Sequence, residues 1–155
     1  MSTSVLGIRA EPRAVHWAVV RGTSEKPVLH AHGTEAVPNA YTETEGLAWL
    51  RTRLIYVADT YRPAKAAVRL AERTAKGSNT DAAKSRCRVE GVVLEVAGSK
   101  NLETVAGRLK TFAKHSECAS PKEDLSSDNL RGLDWAKYGG KLQEAIYVAF
   151  SLLPK

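Results

Sequence analysis

With 155 residues, 43% of them hydrophobic, the chain can bury one sizeable core and is too short for two ordinary domains, so a single domain over 1–155 is expected. Its 23 Lys and Arg against 17 Asp and Glu leave a net charge of +6, which favours a polyanion over an acidic surface's partners. No run reaches the roughly 18 apolar residues of a membrane span and Met1 to Leu6 is no signal peptide, so a cytoplasmic protein is expected.

The first elements read as a meander. Val5 to Ile8 and Ala14 to Val20 are apolar runs separated by the turn residues of "EPR" (Glu11 to Arg13), and a third extended segment follows from Val28 to His32, reaching toward Val37 before Pro38-Asn39. Helical periodicity starts at Glu43, where Leu47, Leu50, Leu54, Val57 and Ala58 recur at three and four up to Tyr61, and Pro63 stops it. "AAVRLA" (Ala66 to Ala71) is a buried strand with Glu72 at its carboxyl end, and "KGSN" (Lys76 to Asn79) a loop.

A second helix starts at Thr80-Asp81, whose side chains suit an N-cap, and ends at Gly98 as a left-handed cap. "LETVA" (Leu102 to Ala106) is a short strand and "GRLKTFAKH" (Gly107 to His115) a basic helix or turn. Ser116 to Gly140 is polar, a mobile loop or loosely held helix, and Leu142 to Leu153 is an apolar terminal helix. Three strands, helix, strand, helix, strand and helix imply a mixed sheet covered on both faces.

Little in the composition points to a nucleophile or a metal. Cys87 and Cys118 lie too far apart for a metal pair and read as buried free thiols. His30 and His32 alternate onto one strand face, a geometry that permits a metal but belongs more often to surface histidines. "GSKNLETVAG" lacks the Gly-Lys-Ser/Thr ending of a phosphate loop. Trp17 and Trp49 are core candidates, whereas Trp135 and Tyr138, beside Lys137 and Gly139-Gly140, are candidates for a working surface.

This order of elements, with Leu6-Gly7-Ile8 on the first strand and Trp17-Ala18-Val19 on the second, resembles the RuvC-type Holliday junction resolvases and their phage relatives. "RLIYVADTYRP" (Arg53 to Pro63) looks like the family's first long helix. "VEGVVLEVA" (Val89 to Ala97) looks like the helix that approaches a dimer partner or packs the sheet, and "VAGRLKTFAKH" and "SPKED" resemble segments that follow. The resemblance implies a ribonuclease-H-like α/β fold, a mixed five-stranded sheet with three antiparallel strands first and helices on both faces.

Family members cut phosphodiesters with two divalent cations held by four carboxylates, and here the resemblance breaks. The first-strand acid is replaced by Arg9, and the two terminal-helix positions fall on Lys141 and Glu144, three apart and so on one face. The fourth-strand position falls on Glu72 by the small residues that follow it, or on Arg69 by counting from Pro63. An odd separation of three sends these two to opposite strand faces, so only one enters the site. The remnant acids are then Glu72 and Glu144, with Arg9 and Lys141 pairing to them in place of metal.

The expected function is nucleic-acid binding without catalysis, a pseudoenzyme on structured or branched DNA, with Lys84, Arg88, Arg108 and Lys110 as phosphate contacts, no metal cofactor, and a homodimer admitted by the resemblance. The alternatives are an active Mg- or Mn-dependent endonuclease using Glu72, Glu144, Glu11 or Asp134 at a shifted site, and a purely structural or interaction module.

Overall fold

The structure, a computed structural model, describes residues 3–72, 79–117 and 120–155. Strands β1 (Ser4–Glu11) and β2 (Ala14–Gly22) form an antiparallel hairpin through Pro12-Arg13, and β3 (Pro27–Ala36) continues the meander. Helix α1 (Glu43–Tyr61) opens with a capping box in which the Thr42 hydroxyl accepts from the Glu45 amide and the Glu45 carboxylate accepts from the Thr42 amide. It closes on Arg62 in the left-handed region (φ 45°), directly before Pro63.

β4 (Lys65–Arg69) then lies parallel to β1, and β5 (Glu103–Gly107) parallel to β4, giving the sheet order β3-β2-β1-β4-β5. This is the mixed five-stranded, three-antiparallel-first sheet expected. Helix α2 (Asp81–Ser99) begins on the Thr80 cap, as its sequence predicts. It runs past Gly98, and the left-handed residue is Asn101 at φ 55°. Helices α3 (Leu109–Ser116) and α4 (Pro121–Ser126) and a two-residue-per-strand hairpin, β6 (Asn129–Leu130) with β7 (Leu133–Asp134), occupy the polar stretch before α5 (Gly140–Ser151). The "KGSN" loop up to Ser78, and Cys118, lie outside the described residues; Cys87 is exposed, not buried.

Strand alternation divides the core into two layers. Leu6, Ile8, Ala10, Val15, Trp17 and Val19 face α1 and α2, whereas Val5, Ala18, Val20 and Ala67 face α5. After its polar first turns, helix α5 is apolar on every side because it is enclosed there, and Ala145 through Phe150 have no exposed surface. It lies directly on β1 at Gly7, where a Cβ would stand 2.0 Å from the Ala145 carbonyl oxygen and 2.8 Å from the Ala149 Cβ. In α2, Val89, Val93, Val96 and Ala97 are buried, so the 89–97 segment packs the sheet of its own chain.

A bulge corrects one expectation. The β2–β3 register shifts between Val19 and Val20, which takes Leu29 to the α5 layer and Ala31 to the α1 layer. His30 therefore meets Tyr61 edge-on at 5.8 Å while His32 stacks near Tyr138 at 4.7 Å, and the two histidines do not share a face. Trp135 is also buried, its indole N–H donating to the Ser127 carbonyl at 2.9 Å, so it is no working-surface residue. Trp17 is core as expected, Trp49 is half-buried, and Tyr138 is half-buried under Lys137. Among the described residues no helix is long and apolar enough to cross a membrane.

Candidate functional site

The three parallel strands end together, and the first turns of α2, α3 and α5 rise beside those ends, so side chains from distant segments converge at the carboxyl edge of the sheet. This is the edge at which open α/β sheets place their ligand sites. Its centre is Glu144 on α5. The Arg9 Nε donates to one carboxylate oxygen at 2.7 Å, and the Arg69 Nε stands 3.3 Å from the other.

Arg9 and Arg69 reach the same acid because they are register partners on β1 and β4 and both point to the α5 face. Each also ties back to its own strand, Arg9 Nη1 to the Ala10 carbonyl at 2.9 Å and Arg69 Nη1 to the Leu70 carbonyl at 2.5 Å. The three side chains are only 14%, 10% and 15% exposed for Arg9, Arg69 and Glu144. Charges so shielded depend on one another for solvation.

The pairing expected from the sequence is thus rearranged. Glu72 lies beyond the end of β4 and is exposed, while Arg69 occupies the strand position beside Arg9. The last ladder bond of the β4–β5 pair runs from the Leu70 amide to the Gly107 carbonyl at 2.8 Å. Lys141 pairs with Glu11, the last residue of β1, rather than with Glu72 or Glu144. Glu11 also contacts the His16 Nε2 at 2.5 Å, and the His16 Nδ1 lies 2.9 Å from the Thr34 hydroxyl. Burial alone would raise the Glu11 carboxyl, but hydrogen bonds to Lys141 and His16 outweigh it and hold the group below its usual range.

Arg86, assigned no role by the sequence pattern, enters this edge from α2. Its side chain is 17% exposed, and its Nε and Nη2 are shielded without a hydrogen-bond partner among the described residues. The nearest acid, Glu90 one turn on, is 3.4 Å from the Arg86 Nε and has its Oε2 committed to the Ala71 amide at 2.7 Å. Burial first, then the like charge of Arg9, lowers the Arg86 pKa. The spacing of Arg86 and Glu90 was a visible signal, since four residues on a helix face one way.

The four cations expected to contact phosphate are separately placed. Lys84, Arg108 and Lys110 are exposed, Arg108 beside Leu70 and Ala71 and Lys110 near Glu72 and Lys122. Arg88 forms an ion pair with Glu43 at 3.2 Å in which both side chains are about half exposed. Asp134 is exposed on β7, in register with Asn129.

A divalent cation needs several free oxygen donors. Among the described residues no three His, Cys, Asp or Glu side chains converge, and the central carboxylate is spanned by two guanidinium groups. The donor set at this edge does not fit such an ion.

No protein-family model and no curated protein sequence matches the chain. Solved structures do. The Thermus thermophilus RuvC structure superposes with a TM-score of 0.77 at 18% identity, covering 96% of this chain and 92% of that one. RuvC from the same organism in complex with Holliday junction substrate gives 0.76 at 18%, covering 96% and 91%. The yeast mitochondrial Holliday junction resolvase Ydc2 gives 0.60 at 11%, covering 96% and 77%. The chain has the ribonuclease-H-like fold of RuvC.

Proposed function

We propose that this protein binds structured nucleic acid on a resolvase fold and contacts phosphate with side-chain cations at the carboxyl edge of the sheet, without a metal ion and without cleavage. The observation that carries this reading is the Glu144 carboxylate held between Arg9 and Arg69. A guanidinium does not lose its proton in a protein, so it cannot step aside for a cation. Binding survives the exchange, because phosphate contacts by Lys and Arg supply most sequence-independent affinity. Arg108 and Lys110 stand near the end of β4, and a solved structure of this fold holds a Holliday junction.

The test is fluorescence anisotropy with four-way junction, duplex and single-stranded DNA and RNA, in EDTA, across a salt series. Four phosphate contacts would give a log–log slope near −3.6, or about a hundredfold loss between 50 and 200 mM salt. Neutralising Lys84, Arg88, Arg108 and Lys110 together should flatten that slope by about 3.6 units. Absence of binding at every salt concentration would leave a structural or interaction module, and magnesium- or manganese-dependent cutting of a four-way junction would restore the nuclease reading.

A further inference from the structure

Between β1, α2 and α5 the carboxyl edge opens into a cleft of about 580 Å³, lined by Arg9, Glu11, Glu72, Arg86, Cys87 and Lys141. One of its cations lacks hydrogen-bond acceptors. Arg9 is satisfied by Glu144, and Glu11 is engaged by Lys141 and His16, but Arg86 presents two shielded N–H donor atoms that nothing among the described residues accepts. A buried guanidinium with unused donors costs free energy unless something accepts from it. Glu90 forms an ion pair with Arg86 but no hydrogen bond, its Oε2 standing 3.4 Å from the Arg86 Nε while accepting from the Ala71 amide. Glu72, the other acid of the cleft, is exposed at its mouth.

An acceptor that meets this need must be an anion with several oxygens, because Arg86 offers two donor atoms from one planar fork and Lys141 adds a second cationic group nearby. We propose that the cleft is a metal-free phosphate-binding pocket in which Arg86 is the principal donor and Lys141 closes over the anion from α5. The volume exceeds what one phosphate needs and falls within the range that holds a small ligand, so the phosphate is carried on a nucleotide or a strand end. This rests on the nucleic-acid reading for its biological ligand but not for its chemistry. It singles out one pocket, whereas the exposed cations around the edge supply only diffuse attraction.

Thermal melts and calorimetry of the whole chain in EDTA, at constant ionic strength, would compare inorganic phosphate, a nucleoside 5′-monophosphate, and short oligonucleotides with and without a 5′-phosphate. Saturable stabilisation by the phosphates, absent with chloride, is expected, and Arg86→Gln should abolish it while weakening the 5′-phosphorylated oligonucleotide about tenfold. Alkylation of Cys87, mapped by mass spectrometry on the wild-type protein, gives a readout that needs no variant: phosphate should slow it severalfold. A melt and a Cys87 alkylation rate indifferent to all phosphates would overturn the pocket even if junction DNA binds through the outer cations. Phosphate protection of Cys87 without any oligonucleotide binding would uphold the pocket and remove the nucleic-acid reading.

Discussion

Arg9 and Arg69 are register partners on adjacent parallel strands, and like charges so placed coexist because both guanidinium groups close on the two oxygens of Glu144. The triad ties three segments of sequence to one point. It is a cross-link made of side chains between β1, β4 and α5.

Glu144→Gln should therefore be costly. The substitution leaves two shielded arginines facing each other with no carboxylate, and breaking a buried ion pair from one side destabilises by about 3 kcal/mol. Chemical denaturation at neutral pH measures the loss. A change under about 0.5 kcal/mol, the range of an ordinary surface substitution, would mean the triad is solvated in solution.

Rebuilding a metal site requires both strands to change. Arg9→Asp combined with Arg69→Glu places two carboxylates beside Glu144, and manganese should then raise the thermal midpoint, because a ligand of the folded state alone stabilises it. Arg9→Asp combined with Lys141→Asp keeps Arg69 in the centre, and its midpoint should not respond to manganese. Equal responses from the two variants would show that Glu72 reaches the site after all.

The fold and the candidate site were unequally legible. The hairpin, α1 and the start of α2 are written locally, in the "EPR" turn, the Thr42 and Glu45 box, Pro63 and Thr80. The end of β4 is not. Nothing near Arg69 marks it as the last strand residue; its place shows only in its register partners, Arg9 on β1 and Gly107 on β5. The same holds for the histidines of β3, whose alternation is reset by a bulge that has no glycine or proline to announce it.

Acid should weaken the site through Glu11. Its folded pKa is depressed, so its contribution is present above the unfolded value of about 4.3 and is lost as pH falls through the lower folded value. Glu11→Gln should cost about 1 kcal/mol at neutral pH, and the difference from wild type should shrink as the pH falls below the unfolded value and Glu11 is protonated. Urea midpoints for both proteins across that range would detect it. A gap that persists undiminished in acid would assign the loss to packing instead.

Gly7→Ala should act on packing alone. The added Cβ meets the Ala145 carbonyl, which belongs to backbone and cannot rotate away, so α5 must lift from β1 at a cost of about 3 kcal/mol. Adding Ala149→Gly removes only the side-chain part of the clash and should recover little. Near-complete rescue by Ala149→Gly would show that α5 moves freely on the sheet.

The position of α5 in the chain also dictates an order of events during synthesis. Arg9 and Glu144 are 135 residues apart, and the face of β1 that carries Val5, Gly7 and Arg9 has its cover only when α5 has left the ribosome. Until then the meander, α1 and α2 can close one side of the sheet while the other stays open to water, to chaperones and to proteases. Ribosome-bound chains halted before Gly140 should be cut readily by protease. The same chains extended until Leu153 clears the exit tunnel should resist, as the last helix completes a layer begun by the first strand.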